Sequence, residues 1–192
     1  QKGMTYIFEY FVKERGKDIE SAFGLSRGYC WNNVFKKIAE KMAERKREWI
    51  PKSELKTLLN IGKAKVFINK LVSEGMLHDT LEWVQGQKVP IEAVRFPYQK
   101  FSDHIIARYL LSNFLDTSDE KTIKESFDKE ATLGAVFKKD RIIYARSGIV
   151  EALMIEFPTR IKNKGELLDF LDMKEIPGAL VEAFITGLIW RD

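Results

Sequence analysis

Apolar residues between Trp31 and Leu71 recur at three- and four-residue spacing. Trp31, Val34, Phe35, Ile38 and Met42 share one face of a predicted helix, and Pro51 closes that element. A short second helix over 53–59 presents Leu55, Leu58 and Leu59, with Asn60 and Gly62 as the break. A third places Ala64, Phe67, Ile68 and Leu71 on one face, and Gly75 stands where a helix end favours a left-handed residue. The period then shortens to two. Stretches 76–84 and 91–96 read as strands, joined by a turn at Gln85-Gly86-Gln87.

Three helices followed by a β-hairpin is the order of a winged-helix domain. Its second and third helices would form a helix-turn-helix, and the hairpin its wing. Upstream, the aromatic run Met4–Val12 reads as the end of a helix, and Gly16, Gly24 and Gly28 as a looser connection. Downstream, a strongly amphipathic helix begins near Gln99 and buries Phe101, Ile105, Tyr109, Leu110 and Phe114. Thr117 and Glu120 suggest a capping box opening a short helix that carries Ile123 and Phe127. Apolar positions 142, 143, 149, 150, 153, 154 and 157 keep helical spacing until Pro158. Leu167, Leu168 and Leu171 mark another short helix. Pro177 suits the first turn of a last one, in which Leu180, Val181, Phe184, Ile185, Leu188 and Ile189 pack. The expected fold is mainly α: a connecting helix or loop over 1–30, a winged-helix domain over 31–115, and a helical bundle or helical-repeat-like region over 116–192.

Composition narrows the class. The 192 residues are 45% hydrophobic and 31% charged, too apolar for a disordered chain. The single cysteine, Cys30, excludes a disulfide scaffold and fits a reducing, cytoplasmic setting. No apolar run approaches the roughly 18 residues of a membrane span, so no membrane partner is expected. The chain opens on Gln1, which suggests a piece of a longer protein. The net charge is +4, and its excess is local: between Lys36 and Lys65 ten Lys and Arg stand against four Glu. Such a patch meets nucleic acid or acidic protein in some folds. More often it is a solvated helix face laced with Glu–Lys pairs.

Catalytic patterns are missing. The nearest approach to a phosphate-binding loop is Gly62-Lys63, but Thr57 and Ala64 stand where glycine and a hydroxyl residue are required. His78 and His104 are the only histidines and lie far apart in sequence, so no metal-ligand spacing exists, and each reads as structural. Cys30, between Tyr29 and Trp31, reads as a buried, inert thiol. Carboxylate pairs such as Asp18–Glu20 and Asp169–Asp172 read as surface. No catalytic or metal residue is expected in this chain.

One segment is more specific. In 94–110 a strand ends in Phe96, a short turn carries Tyr98, and a helix opens with Phe101-Ser102-Asp103 and continues through Ala107 to Leu110. This resembles the end of the winged-helix domain in STAND ATPases of the NACHT type. Phe96, Phe101, Ala107 and Leu110 fall on matching positions, and Asp103 matches the family acid in charge. Tyr98 stands where the family has a histidine that reaches the phosphates of bound ADP. A tyrosine hydroxyl can also donate to a phosphate oxygen, but it cannot become cationic. The tyrosine form looks like the bacterial antiviral members.

The resemblance implies a regulatory switch between a separate upstream ATPase domain and a downstream sensor domain. ATP or ADP with Mg would bind the parent protein and no cofactor this chain alone. Homo-oligomerisation on activation is implied as well. The alternative is a DNA-binding winged-helix regulator, reading DNA through Lys63, Lys65, Asn69 and Lys70 of the third helix. That helix lacks Arg, and the wing tip carries one Lys and one Glu, a poor set for phosphate contact. A protein-interaction module without a nucleotide role is the third reading.

Overall fold

The first helix is longer than the aromatic run suggests. In the computed structural model, which describes residues 4–45, 47–128, 130–137, 147–162, 165–172 and 178–191, α1 spans Met4–Ala22. Gly16 therefore lies inside a helix and not in a connection. A side chain there would put its Cβ 3.2 Å from Cys30 Cβ, so glycine permits a close approach of α1 to the next segment. Gly24 and Gly28 do form the loop, both at positive φ (65° and 83°).

The chain divides into two compact units, Lys2–Ser102 and Asp103–Asp192. The division falls within helix α5 (Gln99–Phe114), whereas the sequence suggested a boundary at 115/116. In the first unit, a π-helical stretch Cys30–Phe35 leads into α2 (Lys36–Arg45), and Trp31, Val34, Phe35, Ile38 and Met42 are buried along it. Next come β1 (Ile50–Pro51), α3 (Lys52–Leu59) and α4 (Ala64–Ser73). On α4 the core matches the sequence pattern, with Ala64, Phe67, Ile68 and Leu71 buried; on α3 Leu55 and Leu59 are buried as expected, while Leu58 is only half-buried. Asn60 (φ 47°) and Gly75 (φ 68°) supply the left-handed residues that end them.

The hairpin is β2 (His78–Glu82) with β3 (Ile91–Arg95), and Gly86 at φ 86° makes its turn, closed by Gln87 N donating to Val84 O at 3.0 Å. The sheet also has a third strand. β1 pairs antiparallel with β3, Ile50 opposite Val94 and Pro51 opposite Ala93, giving the order β1-β3-β2. Two residues are too short to show a period, and Pro51 is tolerated because β1 is an edge.

The second unit is helical. Expected one-face burial on α5 is incomplete: all of 101–107 is buried, while Phe114 is exposed. Helix α6 (Glu120–Ser126) starts at an Asp119 cap, not at Thr117. Asp119 Oδ1 accepts from Thr122 N at 2.8 Å, and Thr122 Oγ1 accepts from Asp119 N at 3.1 Å. Ser118 is held in a preceding turn by Asp116 Oδ1, which delays the helix start.

Helix α7 spans Ser147–Arg160 and continues past Pro158 instead of ending there. The proline sits in the last turn and removes one donor, and Thr159 Oγ1 donates to Glu156 O at 2.7 Å. Positions 142, 143 and Pro177 lie outside the described residues. Helix α8 (Val181–Arg191) crosses α7 at Gly187, where an added Cβ would lie 2.6 Å from Met154 Cβ. Leu180 and Phe184 are buried as expected, but Val181, Ile185 and Ile189 are exposed and do not pack. The architecture is thus mainly α with a small antiparallel sheet.

Candidate functional site

The segment singled out by sequence begins where β3 ends. Phe96 and Phe101 are buried and meet edge to face, ring centres 5.1 Å apart. Phe35, at the end of the π-helical stretch, stacks on Phe96 at 5.4 Å and lies 5.9 Å from Phe101. Three rings thus flank the short turn over 97–98 and the first turn of α5. Aromatic pairs of this kind add about 0.5–1.5 kcal/mol each beyond area burial. Within that short turn Tyr98 is 65% exposed. Its carbonyl accepts from Ser102 N at 3.1 Å, and Gln99 Nε2 donates to Glu48 Oε1 at 3.1 Å. The turn thus presents the Tyr98 phenol to solvent between two buried rings.

The remaining motif residues do something else. Asp103, Ala107 and Leu110 are all buried. Asp103 lies over Gly148 in the first turn of α7, where a Cβ would come within 2.8 Å of its Cγ. One turn of α5 thus carries a carboxylate into the second unit's interior.

The third-helix residues are exposed together: Lys63, Lys65, Asn69 and Lys70. Lys70 spends its charge on Glu74 at 2.6 Å, and Val66 is exposed among them. The hairpin presents Leu81, Trp83 and Val89 to solvent. Much of the basic patch is internally paired, with Lys41 on Glu44 at 2.6 Å, Arg45 on Glu54 at 2.5 Å and Lys52 on Asp79 at 2.8 Å. Lys37 Nζ donates to Leu58 O, and Arg47 lies over the Trp49 ring at 4.8 Å. Lys46 lies outside the described residues.

Two buried polar arrangements were not legible beforehand. Glu20, read as surface, is 2% exposed. Its carboxylate accepts from Gly28 N and Cys30 N, each at 2.8 Å, and so holds the backbone entering the π-helical stretch. Burial first, then the Glu20 charge and hydrogen bond, push the Cys30 thiol from an ordinary value of 9.0 up to about 12. Cys30 is therefore a protonated, unreactive thiol. In the second unit, His104 Nδ1 lies 3.2 Å from Glu156 Oε1, both side chains buried. Glu156 interrupts the apolar run Leu153–Phe157, the only hint in the sequence that something meets it there. His78 is exposed on β2.

Among the described residues, no group of three or more His, Cys, Asp or Glu is placed to hold a metal ion, and no helix is long and apolar enough to cross a membrane. Comparison with family models, with curated proteins and with solved structures finds no match.

Proposed function

We propose that this chain is the regulatory region of a STAND-class ATPase of the bacterial antiviral kind, acting as a nucleotide-dependent switch in the cytoplasm. It has no catalytic centre of its own in this reading. The nucleotide and its Mg would bind an upstream ATPase domain, and a downstream sensor domain would trigger release and homo-oligomerisation. The order α2-β1-α3-α4-β2-β3 and the sheet order β1-β3-β2 support reading 31–115 as a winged helix.

The observation that carries the proposal is Tyr98, exposed between two buried aromatic anchors. A state-dependent contact needs a group that interacts differently in the two states. Tyr98 is exposed and free of the buried ring cluster beside it, and its hydroxyl would donate to a phosphate oxygen. The test is the nucleotide content of the complete gene product. ADP retained through purification, together with a phosphate-binding loop upstream of the chain, is the expected result. A gene product without either overturns the proposal.

The DNA-binding reading has one observation in its favour, the shared exposure of Lys63, Lys65, Asn69 and Lys70. The Lys70–Glu74 pair and the apolar hairpin surface weigh against it. Duplex DNA bound by the chain with affinity falling steeply as salt rises would favour it.

A further inference from the structure

A cleft of about 520 Å³ opens in the second unit, beside the end of α7 and the start of α6. Its size lies within the usual range for small-molecule sites. Its floor is apolar. Ile123 and Ile161 are buried at 5% and 3% exposure. The Phe170 ring beside them is fixed by an edge contact to Phe157 at 5.4 Å and by Gly165, where a Cβ would lie 3.1 Å from the ring.

Charge of both signs surrounds that floor. Arg160 and Lys162 line one part, and among the described residues neither side chain has a hydrogen bond or an ion pair. Burial holds the half-buried Arg160 guanidinium below its ordinary value, and the nearby Arg108 charge lowers it further, with Glu156 compensating only in part. An anion placed there would relieve both effects. Lys162, at positive φ (56°) just past the end of α7, is the left-handed residue that terminates that helix, and so the chain turns there beside the cleft.

Asp119, Glu120 and Asp169 supply the opposite sign. Each is partly engaged: Asp119 Oδ1 with Thr122 N, Asp169 Oδ2 with Glu166 N, and Glu120 Oε1 with Lys124. Among the described residues, one oxygen of each carboxylate remains for a cation. Three acids against two bases also disfavour a dianion such as a phosphate monoester. A ligand with one charge of each sign and an apolar body meets the basic pair, the acidic rim and the apolar floor together.

We propose that this cleft binds a zwitterionic small molecule with an apolar body, in chemical class a free α-amino acid with an aromatic or branched side chain. Its carboxylate would meet the Arg160 fork, with Lys162 beside it. Its ammonium would face the acidic rim, and its side chain would cover Phe170, Ile123 and Ile161. The proposal is independent of Tyr98 and of the nucleotide reading.

The full chain is titrated with L-phenylalanine, and binding is followed by NMR chemical-shift changes or calorimetry. 3-Phenylpropionate, 2-phenylethylamine and phenyl phosphate serve as the acid-only, amine-only and dianionic comparisons. Saturable binding of L-phenylalanine is expected, with each comparison ligand weaker by about tenfold or more, the loss of one charge-assisted hydrogen bond. Arg160→Gln should weaken L-phenylalanine by a similar factor. Lys162→Met, on an exposed side chain, should weaken it less and retains the test if the first variant misfolds by circular dichroism. No saturable binding of L-phenylalanine, tighter binding of phenyl phosphate, or unchanged affinity in both variants overturns the proposal.

Discussion

Glu20 offers the sharpest test of how the first unit is held together. Its carboxylate satisfies two backbone donors, Gly28 N and Cys30 N, at 2.8 Å each. Both lie at the entrance to the π-helical stretch that carries Phe35 toward Phe96 and Phe101. Glu20→Ala leaves two donors without their acceptor, at about 1–3 kcal/mol each, so about 2–6 kcal/mol in all. Glu20→Gln keeps one acceptor oxygen but turns an NH2 toward the second donor, and should cost about half as much. Urea denaturation followed by far-UV circular dichroism gives the free energies. Hydrogen exchange at the Gly28 and Cys30 amides gives the location, because a local loss appears there first. The expected order of stability is wild type, then Gln, then Ala, with both amides exchanging faster. Glu20→Ala within about 0.5 kcal/mol of wild type, with both amides still protected, would refute the reasoning.

Three further outcomes follow from the same kind of reading. Gly187→Ala gains about 0.5–1 kcal/mol in helix propensity, but its Cβ would stand 2.6 Å from Met154 Cβ and 3.0 Å from the Glu151 carbonyl, so a net loss of about 1–2 kcal/mol is expected in urea denaturation; a gain would contradict it. Among the described residues Ser102 Oγ is buried with no hydrogen-bond partner, so Ser102→Ala should be neutral or stabilising by up to about 1 kcal/mol, and a loss above that in the same assay would argue for a further partner. Cys30 is raised in the folded state, so its contribution is fully present below pH 9 and is lost as pH rises toward 12. Stability measured across that window should fall by about 1.4 kcal/mol per pH unit more steeply in wild type than in Cys30→Ala, and equal slopes would contradict the burial of the thiol.

What the sequence made legible was local. The cores of α3 and α4 follow directly from three- and four-residue spacing, and Gly75 and Gly86 mark turns that only a left-handed residue makes without strain. What it hid depends on distant partners. Gly16 reads as a breaker until Cys30 is seen to occupy the space beside it. Glu20 reads as surface because nothing near it in sequence reveals that the backbone at 28 and 30 turns back onto it. β1 is visible only through its pairing with β3. On α8 the apolar residues surround the helix, so periodicity could not separate buried Phe184 from exposed Ile185. Tyr98 drew attention only through a resemblance; the three-ring anchorage around it is a tertiary fact.

The central claim is that Tyr98 contacts a nucleotide phosphate. The most direct measurement is the rate of ADP release from the complete gene product, wild type against Tyr98→Phe, chased with excess unlabelled nucleotide. The substitution removes one oxygen from an exposed ring and leaves the Phe35, Phe96 and Phe101 cluster untouched. Loss of a hydrogen bond to a charged group, about 1.5–3 kcal/mol, predicts release faster by about tenfold or more. An unchanged release rate would reduce Tyr98 to an ordinary surface residue and contradict the account.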